Sequence, residues 1–246
     1  MHVLDNPAWS ALTGPQRDLG RCTGVVARFD PGISLFGAFA HDPGPGDWAA
    51  MARFIGPGGV VITTGCTGTP PERWGVEYDG EAVQMTGESL TGADLRPPSG
   101  APEVVPLGPD DVDDMLELVA LARPGPFTPR TYEIGGYVGV RRGGRLVAMA
   151  GERLRPVGWA EISAVATHPD HRRQGLGELL VRAVAAGIAA RGEIPMLHAA
   201  ADNTTAVRLY GAMGFTLRRH CRFVAARAPD ALAPDQPAPT VTPPGR

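Results

Sequence analysis

A chain of 246 residues, 43% hydrophobic and 20% charged, exceeds one ordinary domain of about 100 to 150 residues and has the apolar content to bury a core. Its formal net charge of -3 argues against the broad basic face that nucleic acid or anionic lipid selects, leaving small, neutral or cationic partners. The cysteines, Cys22, Cys66 and Cys221, are odd in number, widely spaced and without a CxxC pair, which excludes a disulfide framework or cysteine zinc site and points to a reducing compartment.

Residues 1–6 show no basic segment leading into an apolar one, and no apolar run approaches the ~20 residues that span a bilayer, so a cytoplasmic protein is expected. Residues 9–19 and 47–55 have helical spacing, and 59–64 (GVVITT) and 74–78 read as short strands. A small N-terminal α/β domain over residues 1–90 is expected from them. The glycines of residues 56–59 precede an apolar run instead of following a strand and opening a helix, which makes them a turn and no phosphate loop. From 86 to 109 the chain is rich in Gly, Pro, Ser and Thr, with Pro97 and Pro98 adjacent, the composition of an interdomain linker, placed at 91–103.

Residues 104–227 form the second expected domain. Asp110 is placed to cap a helix over 111–121, whose acidic first turn suits the positive end of the helix dipole. Strands at 137–140 and 146–153 flank Gly143 and Gly144, the residues a tight hairpin turn wants. A strand at 159–167 follows, then a helix at 177–190 with Leu176, Leu179, Leu180, Val184 and Ile188 on one face. A strand at 195–201, a helix at 204–213 and a strand at 216–225 complete a mixed α+β sheet. Residues 228–246 are Ala, Pro and Asp with almost no large apolar residues, too little burial to offset the entropy of ordering, so a disordered tail is expected.

The chemistry concentrates where strand 159–167 runs into Thr167-His168-Pro169-Asp170-His171-Arg172-Arg173-Gln174-Gly175-Leu176-Gly177 and then the helix. A diphosphate needs several backbone N–H groups converging on it; glycines let the chain approach closely, and the helix N-terminus adds positive charge. Arg172-x-x-Gly175-x-Gly177 after a strand resembles the acyl-CoA loop of the GNAT superfamily of N-acetyltransferases. About 25 residues on, Asn203-x-x-Ala206-x-x-x-Tyr210-x-x-x-Gly214-Phe215 resembles that family's closing motif. The resemblance covers about residues 104–224, and the runs 152–154 and 161–163 are similar to a glycine N-acyltransferase-like branch.

That resemblance implies a mostly antiparallel central sheet flanked by helices, with residues 1–90 as a degenerate GNAT-like domain. It implies acetyl transfer from acetyl-CoA to a primary amine of a small molecule or peptide, directly in a ternary complex, by a monomer or homodimer. Longer-chain or amino-acid N-acylation and non-catalytic acyl-CoA sensing are the alternatives. The cofactor contacts it implies are Val165, Ala166, Thr167, Arg172, Arg173, Gln174, Gly175, Leu176, Gly177, Glu178, Asn203, Ala206 and Tyr210. Tyr210 matches the family's acid toward the departing thiolate, and the backbone near Val165 the oxyanion donor.

An ammonium must lose a proton before attacking a thioester, and Glu161 is the candidate base. Strand alternation places Glu161, Ser163, Val165 and Thr167 on one face, with pairing to Arg153 as the structural alternative. A zinc role for His168, Asp170 and His171 would compete with the diphosphate, and no metal is expected. His198 reads as a satisfied core histidine or a residue facing the acceptor. The proline-rich loop 123–131, carrying Phe127 and Arg130, reads as a rigid connector or, in the place where the family covers its acceptor, as a selectivity element.

Overall fold

The computed structural model describes residues 2–65, 68–92, 94–96 and 99–231. In chain order it holds α1 (Pro7–Leu12), β1 (Gly20–Thr23), β2 (Val26–Phe29), β3 (Gly37–Phe39), α2 (Pro45–Ile55), β4 (Val60–Thr64), β5 (Gly75–Thr86) and β6 (Val105–Leu107). There follow α3 (Val112–Ala122), β7 (Tyr137–Arg142), β8 (Arg145–Glu152), β9 (Trp159–Thr167), α4 (Leu176–Ala190), β10 (Ile194–Ala200), α5 (Thr204–Ala212) and β11 (Thr216–Arg227).

Strands β1–β3 form a small sheet, and the other eight form one large sheet in the order β4-β11-β5-β10-β9-β8-β7-β6. Among the described residues its one parallel pair is β9 with β10; the rest are antiparallel. The expected α+β class with a mostly antiparallel sheet is what the chain adopts. One core joins α4 and α5 to the sheet through Leu180, Val184, Ile162, Leu197 and Tyr210. A second core gathers α1, α3 and the small sheet through Leu12, Phe29, Phe36, Met115 and Met149.

Residues 1–90 and 104–227 share the large sheet. Strand β5 lies between β10 and β11, and β4 is the other partner of β11. Val83 and Met85 of β5 sit in the α4 core, 5% and 3% exposed. Strand β5 runs on to Thr86, beyond the expected 74–78. Its polar first half carries Glu77 and Asp79, which pair with Arg227 and Arg222 of β11, so cross-strand ion pairs replace the apolar alternation that would reveal a strand.

Three other expectations are corrected. Helix 9–19 ends at Leu12 because Pro15 cannot continue it. The N-cap position expected of Asp110 falls to Asp111, whose side chain makes no cap bond to α3: its Oδ2 accepts the Gly108 N–H at 2.9 Å in the preceding 3-10 turn and its Oδ1 pairs with Arg141. The tail does not begin at Ala228: that residue is 2% exposed and its N–H donates to the Gly59 carbonyl at 2.8 Å, extending the β11 edge. Residues 232–246, Cys66, Pro97 and Pro98 lie outside the described residues. Among the described residues no helix is long and apolar enough to cross a membrane.

Candidate active site

The parallel ladder of β9 and β10 runs from Trp159↔Ile194 to Ile162↔Leu197 and stops there, although β9 continues to Thr167 and β10 to Ala200. The two strands part after Ile162. On its other side β9 carries a bulge: Met149 faces Ala166 and Gly151 faces Ser163, so Ala164 and Val165 together oppose Ala150. Ala164 takes a left-handed φ of 52°, a conformation costing about 1–3 kcal/mol outside glycine.

The extra residue reverses the alternation, as a bulge must. Ala160, Ile162 and Val165 contact the α4 core, whereas Ala164 and Ala166 contact the other core. Val165 and Thr167 therefore do not share a face with Glu161 and Ser163, which corrects the expected placement.

Beyond Thr167 the chain makes a 3-10 turn, Pro169–His171, in which His168 Nδ1 accepts the Asp170 N–H at 3.3 Å. Arg173 (φ 59°) and Gly175 (φ 74°) then both turn left-handed, and α4 starts at Leu176. Among the described residues, none accepts from the N–H groups of residues 173–178; Leu179 is the first to find a carbonyl, that of Gly175 at 3.0 Å. Those N–H groups gather at the positive end of a 15-residue helix, the arrangement that binds anions.

Gly177 tests the fit. A Cβ there would meet nothing nearer than Val165 Cγ1 at 3.9 Å, so packing within the protein does not require glycine, and the space over its backbone is open for a ligand to approach closely. Exposed Arg172 and Arg173 flank the loop. The residues present suit a diphosphate.

The other expected contacts divide. Gln174 is held by Arg142, whose Nη1 donates to its Oε1 at 2.6 Å. Glu178 takes Arg182 at 2.8 Å, leaving its backbone for a ligand. Leu176 and Ala166 are buried at 2%, and the Thr167 carbonyl lies 3.5 Å from Arg172 Nε. Asn203 caps α5, its Oδ1 accepting the Ala206 N–H at 3.1 Å. Tyr210, on the inner face of α5, is 8% exposed and meets the Phe215 ring edge-on at 6.2 Å. Burial pushes its phenol up to about 12, so it stays protonated, and able to donate, across the neutral range.

Glu161 is fully buried. Arg153 grips it with two bonds, Nε to Oε2 at 2.9 Å and Nη2 to Oε1. The Leu154 N–H adds a third bond at 3.3 Å, and His198 Nδ1 lies 2.7 Å from Oε1. Burial works to raise its pKa, but Arg153 and His198 outweigh it and hold the carboxyl well below the usual range. A carboxylate so held is a poor proton acceptor, which argues against the base expected of Glu161. The Arg153 guanidinium lies over Phe36 at 4.6 Å and near Phe223 at 5.7 Å.

Sequence reasoning missed Gln84, Phe36 and Arg142, which approach the site from distant segments with no local motif to mark them. Loop 123–131 is tied to the N-terminal half: Thr128 Oγ1 donates to the Gly32 carbonyl at 2.5 Å, and the Phe127 ring meets Tyr137 edge-on at 5.7 Å.

The FR47-like protein family model matches residues 137–224. A GNAT-family protein of Novosphingobium aromaticivorans is 38% identical, with 92% of this chain and 98% of that one covered and a TM-score of 0.82. A GCN5-related N-acetyltransferase from Kribbella flavida (18% identity, coverage 93% and 96%, TM-score 0.60) shares the fold. So does a GCN5-related N-acetyltransferase-like protein from Streptococcus suis (14% identity, coverage 90% and 92%, TM-score 0.53). No curated protein matches the chain.

Proposed function

Because the chain belongs to the GNAT superfamily of acyltransferases, we propose that it transfers an acetyl group from acetyl-CoA to a primary amine of a small molecule or peptide, directly in a ternary complex in the cytoplasm. The observation that carries this is the run of N–H groups at residues 173–178 that find no acceptor among the described residues, on the chain that follows the point where β9 and β10 part. These groups, with Arg172 and Arg173, are assigned to the diphosphate. When bound, the thioester supplies an activated acyl carbon. The amine nitrogen forms the new bond to that carbon and the C–S bond breaks. Tyr210 gives its proton to the leaving sulfur and is reprotonated from solvent. Glu161 and His198 have their acceptor positions filled, so both protons the nitrogen gives up, one from the ammonium before attack and one as the amide forms, are assigned to water.

Free-thiol release from acetyl-CoA against a panel of amines, amino acids and peptides, beside calorimetric binding of acetyl-CoA, tests this. One acceptor driving thiol release supports transfer. Tight binding with no turnover for any acceptor or acyl length makes the protein an acyl-CoA sensor.

Two substitutions separate the parts. Tyr210→Phe is expected to lower kcat at least ~10-fold while the acetyl-CoA Kd stays within about twofold; unchanged kcat would remove Tyr210 from the role. Gly177→Val exchanges two residues of comparable, low helix propensity, differing by only a few tenths of a kcal/mol, at a position open within the protein. It is expected to leave Tm within a few degrees and to weaken acetyl-CoA binding at least ~10-fold; unaltered binding would show that no ligand approaches there.

A further inference from the structure

The Glu161 carboxylate is one end of a chain of side chains that crosses from the reaction strand into the N-terminal half, and the chemistry of its members fixes where the protons sit. Gln84 of β5 stands directly opposite His198 of β10 in the antiparallel ladder. Gln84 is 1% exposed and the His198 side chain 3%. The amide has two partners whose roles are not in question. Arg218 Nη1, which can only donate, lies 2.7 Å from one atom of the amide. The Leu4 carbonyl, which can only accept, lies 3.0 Å from the other. Oxygen therefore faces Arg218 and nitrogen faces Leu4.

That nitrogen has a second hydrogen, and it points to His198 Nε2 at 3.0 Å. Nε2 must accept, the ring proton must be on Nδ1, and Nδ1–H donates to Glu161 Oε1 at 2.7 Å. A proton on Nε2 would set two donors against each other at 3.0 Å, across a rung that joins β5 to β10.

The other groups around the ring do not relieve this. Phe223 of β11 meets it edge-on at 5.2 Å. Cys221 of β11 is pushed up to about 11 by burial and stays a neutral thiol. Arg153 is spent on Glu161, and Arg218 also pairs with Asp5 at 2.6 Å. With His198 neutral, Arg153 and Glu161 balance; with His198 charged, the buried cluster carries an uncompensated positive charge.

We propose that Gln84 is a positioning residue for acyl transfer: it locks His198 as the neutral Nδ1–H imidazole that pins Glu161 where β9 and β10 part. This rests on the acyltransferase reading only for its catalytic consequence. The last rung of the β9–β10 ladder is Ile162↔Leu197, so Glu161 and His198 flank the fork on each strand. Their hydrogen bond sets the width of the opening that leads to the bulge at Ala164. Reaction geometry tolerates displacements of only about 0.5 Å, and a fork left to open and close would lose rate without losing the diphosphate contacts at residues 173–178.

The test is long-range 1H–15N correlation of the full-length protein labelled with 15N-histidine, with His198 assigned by its loss in His198→Gln. At neutral pH the wild type is expected to show His198 as the neutral Nδ1–H form. Gln84→Glu places a carboxylate at Nε2 and is expected to convert the ring to imidazolium and to lower kcat at least ~10-fold, with acetyl-CoA Kd within about twofold. Gln84→Asn, one methylene shorter, is expected to lose the lock and show mixed tautomers.

A wild-type His198 in the Nε2–H form or as imidazolium overturns the proposal whether or not the variants fold. So does an imidazolium in Gln84→Glu with undiminished kcat. The tautomer is read without substrate, so failure to find any acceptor would count against the acyltransferase reading and not against the lock.

Discussion

Glu161→Ala is expected to destabilise the protein by about 3–5 kcal/mol, read as a drop in the urea midpoint at pH 7. The reason is what it leaves behind: Arg153 loses both of its ionic contacts while Phe36 and Phe223 leave its side chain only 15% exposed, and a largely buried charge stripped of its partner costs that much. A surface general base removed in the same way would change stability by less than about 1 kcal/mol. A small effect would therefore return Glu161 to the catalytic role.

The pH dependence gives a second reading of the same residue. Because the folded carboxyl lies below its unfolded value, its contribution is fully present above the unfolded pKa of about 4.3 and is lost as pH falls below it. Unfolding stability should thus be flat with respect to this group from pH 5 upward and fall with acid. An acid limb in kcat/KM between pH 5 and 7 should be the same in Glu161→Gln as in the wild type, since this carboxyl does not titrate there.

Different parts of the molecule were legible from residue order to different degrees, for reasons visible in single residues. Strand β9 and the start of α4 were legible because an apolar run, two glycines and a following amphipathic repeat are all local signals, and Trp159–Thr167 is bounded as expected. The bulge at Ala164 was not legible. Alanine has no preference for φ 52°, and the misfit is imposed by the register of β8; from sequence alone alternation is the default, and it put Val165 and Thr167 on the wrong face. The local pattern at His198 leaves a satisfied core histidine and a residue facing the acceptor both open, and its two bonds supply the first environment. Its partner Gln84 carries no signal of its own, because a glutamine in a strand becomes functional only through what lies across the ladder. The short strands β1 and β3, of four and three residues, fall below the length at which periodicity can be seen.

Removing residues 1–103 is expected to abolish both cooperative unfolding and acetyl-CoA binding, although the remainder contains each residue assigned to the diphosphate and to proton transfer. Strand β5 goes with that segment, and among the described residues β5 is what joins β10 to β11 in the sheet order. Val83 and Met85 are inserted in the core that also holds Leu180, Leu197 and Tyr210. Burying such side chains contributes about 1.5–3 kcal/mol each, a large share of the 5–15 kcal/mol by which a domain is ordinarily stable. Both faces of the gap would lose their ladder hydrogen bonds as well, and β10 would be left with a four-residue rung set on β9.

A circular dichroism melt of residues 104–246 should therefore show a broad, weak transition, and calorimetry no saturable uptake of acetyl-CoA. A sharp melt with acetyl-CoA bound at near wild-type affinity would mean that the linker composition of residues 91–103 marks a true boundary. Strand β5 would then be an accessory to the fold, whereas its central position makes it part of the frame on which β10 and the closing helix are set.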